Sequence, residues 1–177
     1  KNKARETMKN ANVPIVPGSD GLIESEDALL SIASDIGYPL IIKATAGGGG
    51  KGMRVALNED ELLNGYKMAT TEAAAAFGNG AVYVEKFVQN PRHVEIQILS
   101  DPKGNAVHLY ERDCSIQRRH QKLVEETPSP FISAQTQEKM AAAAIKAAQS
   151  IHYRGAGTIE FIVDGSENFY FMEMNTR

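Results

Sequence analysis

The stretch IIKATAGGGGKGMRVA, residues 41–56, sets four consecutive glycines, a lysine and a fifth glycine between two apolar runs. Glycine loses more conformational entropy than any other residue when ordered, so such a run cannot sit inside a helix or strand. It makes the two flanks separate elements. Both flanks are β-branched and alternating, PLIIK before and MRVAL after, so the pair reads as two strands around a pliant loop. Three phosphate-binding readings compete. A P-loop needs Ser or Thr directly after the lysine, and here Gly52 follows Lys51. A dinucleotide fingerprint is met formally by Gly47, Gly49 and Gly52, but it should open a helix, and MRVAL reads as strand. The third is a hairpin flap whose main-chain N–H groups cover phosphates, with Lys43 on the preceding strand reaching the same charge. A plain mobile hairpin tip stays open beside it.

With 177 residues the chain fits one domain or two small lobes. A net charge of −3 gives no reason to expect nucleic acid or an anionic membrane as partner. No apolar run approaches the ~20 residues of a membrane-spanning helix. One cysteine, Cys114, excludes an intramolecular disulfide framework and suits a reducing compartment. Both ends, KNKARETMKNANVP and EMNTR, read as cut from a longer protein.

Local signals give helices at 4–12, after Ser25 with Leu29, Ala33 and Ile36 on one face, and after Asn58 with Glu61 in a capping box. TEAAAAFG reads as a further helix, and an Ala-rich one puts Met140, Ala144, Ala147 and Ile151 on one stripe. Residues 81–126 read as β-rich, and the chain closes with the hairpin GTIEFIVD and NFYFMEMN. Antiparallel β with flanking helices makes the fold class α+β.

Strand periodicity then sorts the polar residues. In RHVEIQIL, Val94, Ile96 and Ile98 share one face, His93, Glu95 and Gln97 the other. In QRRHQKLVEE, Arg118, His120 and Lys122 share a face, which suits an anion as well as a solvated surface. Taking GSEN as a symmetric four-residue loop puts Glu160 opposite Glu173, and the period of two puts Phe169, Phe171, Glu173, Asn175 and Arg177 on one face. Opposed carboxylates repel, and a divalent cation removes the penalty, with Asn175 as a neutral oxygen ligand; Mg²⁺ or Mn²⁺ suits that set. A solvent-facing acidic hairpin in another register is the alternative. A phosphate flap, lysines and a two-carboxylate metal site together imply a nucleotide-triphosphate enzyme outside the P-loop class.

The runs KATAGGGGKGMR, EKFVQNPRHVEIQIL, ERDCSIQRRHQKLVEE, GAGTIEF and FMEMNTR resemble, in order and over the whole chain, the biotin carboxylase component of biotin-dependent carboxylases. That resemblance implies an ATP-grasp fold, truncated at both ends. Its parts would be an entry helix and linker (1–16), a small lid lobe (17–85) and a β-rich large lobe with the metal hairpin (86–177). It implies MgATP and bicarbonate as substrates, carboxyphosphate as intermediate, and biotin on a carrier protein as carboxyl acceptor. By position, Lys1 and Lys43 resemble the ATP lysines, and Gly49 and Gly50 the lid over the triphosphate. Glu85, Lys86, Phe87 and Val88 resemble the adenine segment, and His93, Gln117 and His120 further nucleotide positions. Glu160, Glu173 and Asn175 match metal positions, Lys122 a bicarbonate ligand, and Arg177 the catalytic arginine. Cys114 reads as a packed or bystander thiol.

The family continues past EMNTR into a QVEHP-like strand that carries the general base, and has an α/β lobe before Lys1. A chain without them is expected to bind nucleotide weakly with little activity. The resemblance also implies a biotin carboxyl carrier and a carboxyltransferase as partners, a homodimeric parent of the acetyl-CoA carboxylase type serving fatty acid synthesis, and a cytoplasmic or organelle-matrix location. Another ATP-grasp ligase, or a non-catalytic partner-binding domain, are the competing readings.

Overall fold

The computed structural model describes residues 2–45, 53–119 and 121–177, with Asn2 described by its backbone alone. The chain divides into two compact units, one of Val16–Val88 and one of Lys3–Ile15 with Gln89–Arg177.

In the first unit, β1 (Leu40–Ala44) lies between β2 (Met53–Ala56) and β3 (Val82–Lys86), all antiparallel. β1 and β2 pair from Leu40↔Ala56 to Lys43↔Met53, so the glycine tract is the connection of a hairpin, as the flap reading requires. α2 (Glu26–Ile36) and α3 (Glu59–Phe77) carry Leu29, Ala33, Leu62 and Ala69 into a core with Leu40, Ile42, Val82 and Val84. Their starts are set locally. Ser25 Oγ accepts Ala28 N–H at 3.2 Å, and Asn58 Oδ1 accepts Glu61 N–H at 3.0 Å while the Glu61 carboxylate reaches back to Leu57 N–H at 2.9 Å. The sequence reading of two helices between Asn58 and Gly78 is corrected: α3 is one 19-residue helix. Gly65 does not interrupt it, because a Cβ there would stand 2.9 Å from Ile42 Cδ1, so glycine is what lets β1 pack close. Gly78, left-handed at φ 68°, ends it.

In the second unit five antiparallel strands run in the order β6-β5-β4-β7-β8. They are β4 (Arg92–Ser100), β5 (Ala106–Arg118), β6 (Gln121–Glu126), β7 (Gly155–Val163) and β8 (Phe169–Thr176). One face of the sheet packs on α4 (Ala134–Ser150) and on Met8 of α1 (Asn2–Asn10), with Val94, Ile96, Ile98, Met140, Ala144, Ala147, Ile159 and Phe161 in the core. Ile151, expected on the α4 stripe, is instead the exposed cap residue after the last turn.

The β4–β5 and β7–β8 hairpins close with the same five-residue device. Asp101 accepts main-chain N–H from Lys103 and Asn105 and the Asn105 amide at 2.8, 2.9 and 2.7 Å. Asp164 does the same for Ser166, Asn168 and the Asn168 amide at 2.8, 3.0 and 2.9 Å. Asp164 N–H also donates to Asn168 O at 2.9 Å, so the last hairpin has a three-residue loop, 165–167, and not the symmetric four-residue one. Its register begins at Val163↔Phe169 and shifts by one residue between Glu160 and Phe161. The loop error and this bulge cancel: Glu160 does stand opposite Glu173. The bulge at Met172 also flips parity. Phe171 joins the core with Phe161, while Glu173 and Asn175 join Glu160 on the other face, so the single shared face expected from Phe169 to Arg177 does not exist.

Phe161 is fully buried at the centre of the second unit. Phe161→Ala is expected to cost about 3–5 kcal/mol, read as a lowered denaturant midpoint of the transition reporting on this sheet.

Candidate functional site

The sheet face away from α4 carries a connected polar cluster on the second unit. Four registers assemble it: Glu95 opposite both Arg112 and Glu160, Gln117 opposite Lys122, and Thr158 opposite Asn175. Two buried carboxylates, Glu95 and Glu160, therefore face each other across β4 and β7. Lys122 Nζ donates to both, at 2.6 Å to Glu95 Oε2 and 2.6 Å to Glu160 Oε1. Asn175 Nδ2 adds a bond to Glu160 Oε1 at 2.5 Å, and His93 Nε2 lies 2.5 Å from Oε2. Arg112 holds the other side of Glu95, through Nε at 2.7 Å and through Nη2, and reaches Gln97 Oε1 at 3.2 Å. Gln117 Nε2 donates to the Cys114 carbonyl at 2.8 Å, which fixes its amide orientation. The same nitrogen then faces His93 Nδ1 at 2.7 Å as donor, leaving Nε2–H to donate to Glu160.

Burial pushes the Glu160 pKa up, but the hydrogen bonds from His93 and Lys122 and the charge of Lys122 outweigh it and bring the value to about 2. Burial likewise lowers Lys122, and its bonds to Glu160 and Glu95 reverse that to a net rise. Glu160 thus already has a cationic partner, so its opposition to Glu173 does not by itself demand a metal ion. Glu173 is exposed and, among the described residues, has no polar partner. Asn175 uses its amide nitrogen and, among the described residues, leaves its amide oxygen unengaged. The donor types, two carboxylates and an amide oxygen on adjacent strand positions, fit a hard divalent cation.

The strand expected to run through QRRHQK is two strands joined by a tight turn, with Arg119 at φ 52° and Arg118 opposite Gln121. Arg118 consequently shares a face with Gln121, and Lys122 with Gln117, which corrects the expected Arg118–Lys122 face. Arg177 is exposed at the end of β8; its guanidinium contacts the Thr176 carbonyl at 3.4 Å. Cys114 is fully buried, and its thiol is pushed up to about 12 by burial and then by the Glu95 charge. Glu95, Cys114 and Glu125 come within reach of one another, but Arg112 bridges the two carboxylates and the thiol keeps its proton.

On the first unit Lys43 and Glu85 form a diagonal pair across β1 and β3, Lys43 opposite Tyr83 and Glu85 opposite Ile41. Lys43 Nζ donates to Glu85 Oε2. Lys86 Nζ binds the carbonyls of Gly37 and Tyr38 at 3.2 and 2.7 Å, where it caps the exit of α2. Phe87 N–H donates to Pro39 O at 2.9 Å, and Val88 is half-buried beside it. Lys1, Gly49, Gly50 and His120, also singled out in the sequence, lie outside the described residues.

Sequence reasoning missed Glu95 and Arg112 as members of the cluster. The signal was available for Glu95, which alternates with His93 and Gln97 on the face opposite Val94 and Ile96; Arg112 became visible only through its register with Glu95.

A family model described as the carbamoyl-phosphate synthase L chain, ATP binding domain, matches residues 1–177. The chain belongs to this ATP-grasp family. Within it, the chain is 62% identical over its whole length to biotin carboxylase 1 of Bacillus subtilis, covering 40% of that protein. The crystal structure of a biotin carboxylase–beta-gamma-ATP complex from Campylobacter jejuni matches 99% of the chain and 40% of its own, with TM-score 0.86 and 53% identity. The biotin carboxylase domain dimer of Hydrogenobacter thermophilus 2-oxoglutarate carboxylase, solved with MgADP, ADP and bicarbonate, matches all of the chain and 39% of its own, with TM-score 0.85 and 51% identity. The chain spans about two fifths of the length of the curated relatives it matches. No helix among the described residues is long and apolar enough to cross a membrane.

Two outcomes check the cluster. The folded Glu160 carboxyl titrates near 2, below its ordinary 4.5, so its stabilisation is complete above about pH 4.5 and is lost as pH falls towards 2. Wild type should then lose on the order of 3 kcal/mol across that window beyond the loss in Glu160→Gln, measured by denaturant titration at a series of pH values. Cys114 should resist an aromatic disulfide reagent in the native chain and react at once in denaturant; rapid native reaction would show that the thiol is neither buried nor held protonated.

Proposed function

We propose that the chain is the nucleotide-, metal- and bicarbonate-handling part of an ATP-dependent biotin carboxylase. The observation that carries this reading is the Lys122 ammonium clamped between Glu95 and Glu160 on the polar sheet face. A cation oriented by two carboxylates is pre-positioned to meet a small anion without reorganising at the moment of reaction. Identity above half to biotin carboxylases through the whole chain supports the same assignment.

Lys43 would exchange its Glu85 partner for a phosphate oxygen, and Lys1, with Gly49 and Gly50 of the hairpin connection, would neutralise and cover the triphosphate. The main chain of Glu85, Lys86, Phe87 and Val88 would meet the adenine, and His93, Gln117 and His120 would complete nucleotide recognition. Glu160, Glu173 and Asn175 would hold Mg²⁺ or Mn²⁺, which when bound supplies positive charge to phosphate oxygens. Lys122 would bind bicarbonate, which attacks the γ-phosphorus to give carboxyphosphate and ADP. Arg177, whose planar fork suits a carboxylate or phosphate, would steady that anion while its carboxyl group passes to biotin N1′ on a carrier. The parent would be a dimeric acyl-CoA carboxylase component of the cytoplasm or an organelle matrix, working with a carboxyltransferase. Residues 1–177 alone would bind nucleotide weakly and turn over little. The non-catalytic reading is disfavoured by the same cluster, since two buried carboxylates and the cations that pair with them stabilise a fold less than apolar packing of that volume would.

Calorimetric titration of ATP with and without Mg²⁺ tests this. Binding should need Mg²⁺, weaken roughly tenfold or more in Lys43→Ala through loss of a charge-assisted bond, and lose its Mg²⁺ dependence in Glu173→Gln. Metal-independent binding unchanged in both variants, or no binding by any of the three, would overturn the assignment of these residues.

A further inference from the structure

The chain contains two Asn-Gly dipeptides, Asn64-Gly65 and Asn79-Gly80, and the fold treats them oppositely. Asn64-Gly65 lies inside α3, where Gly65 is buried and its N–H belongs to the helix's own hydrogen-bond ladder. Asn79-Gly80 lies in the link between α3 and β3, with Asn79 exposed. There the Asn79 Oδ1 accepts Ala81 N–H at 2.9 Å, a side-chain turn that draws electron density away from the amide carbon Cγ. Gly80 N–H, the group next to that carbon in the chain, donates to no acceptor among the described residues. Glycine presents no side chain to hinder it.

We propose that Asn79-Gly80 is a built-in site of deamidation and isoaspartate formation. Gly80 N gives its proton to solvent base and bonds to Asn79 Cγ; the Cγ–Nδ2 bond breaks and the amide leaves as ammonia, giving a cyclic imide. Water then opens the imide at either carbonyl, to aspartate or to isoaspartate, with no redox change. Of the two Asp-Gly dipeptides, Asp20-Gly21 and Asp164-Gly165, the second is protected because the Asp164 carboxyl is held ionised, and a carboxylate is a poor electrophile. Burial raises its pKa, but its bonds to Asn168 and Ser166 bring the net direction down.

The fold cannot discard the labile dipeptide from the glycine side. A Cβ at Gly80 would stand 2.9 Å from the Thr70 carbonyl oxygen and 3.1 Å from Thr70 Cγ2. The product has a definite structural target as well. Ala81 O receives both Thr45 N–H and Thr45 Oγ1–H at 3.0 Å, locking the start of β3 to the end of β1. Isoaspartate inserts one extra main-chain carbon two residues before that lock.

Trypsin separates the two dipeptides, leaving Asn64 in peptide 55–67 and Asn79 in peptide 68–86. The native chain is held at mildly alkaline pH, and both peptides are followed by mass spectrometry. Isoaspartate is read by methyl transfer from S-adenosylmethionine with an isoaspartyl methyltransferase as reagent. The expected result is conversion of 68–86 at least tenfold faster than 55–67 in the native chain. The two rates should draw together in denaturant, and the methyl-accepting signal of peptide 68–86 should vanish in Asn79→Ser. Native protection of Asn79 equal to that of Asn64, or a methyl-accepting signal in peptide 68–86 that survives Asn79→Ser, overturns the proposal.

Discussion

Glu95 and Glu160 face each other across β4 and β7 with almost no access to water, and one ammonium, Lys122, stands between them. The ammonium offsets the repulsion between two carboxylates held so far from solvent. The rest of the polar face is arranged around this triangle: Arg112 completes Glu95, and His93 and Asn175 complete Glu160. The arrangement draws on all five strands, β4 to β8, with β4 supplying both His93 and Glu95. The sheet is thus a device for bringing together groups far apart in sequence, and the core on its other face supplies the stability that such desolvated charge does not.

The first unit solves a smaller problem of the same kind. Lys43 meets Glu85 as a diagonal pair across β1 and β3, and Lys86, the next residue, turns to the opposite side to hold the carbonyls that end α2. Alternation along β3 therefore assigns one charged residue to Lys43 and its neighbour to the scaffold.

What could be read from the sequence was what short-range rules control. Ser25 and Asn58 announce their helices because capping is settled within four residues, and Val94, Ile96 and Ile98 announce a core face because a strand's period is two. The errors fall where the main chain departs from regularity with no residue type to mark it. Arg119 turns the chain at positive φ without a glycine or asparagine, which divides what reads as one strand. Met172 is bulged with nothing in FYFMEMN to show it. The cluster was half legible for a related reason: Lys122, Glu160 and Asn175 stood out as candidates, whereas Arg112 acquires meaning only from the strand it is paired with.

The bulge at Met172 makes β8 a strand with two employers. Before it, Phe171 faces the core; after it, Glu173 and Asn175 face the polar cluster. Side chains alternate strictly, so an even spacing in sequence would have put Phe171 and Glu173 on the same side. The chemistry of this edge is therefore written in a count as much as in residue identity. Were Met172 instead taken into a regular ladder, every carboxylate and amide would keep its place in the sequence, yet Glu173 would turn towards apolar packing and Met174 towards the charged face.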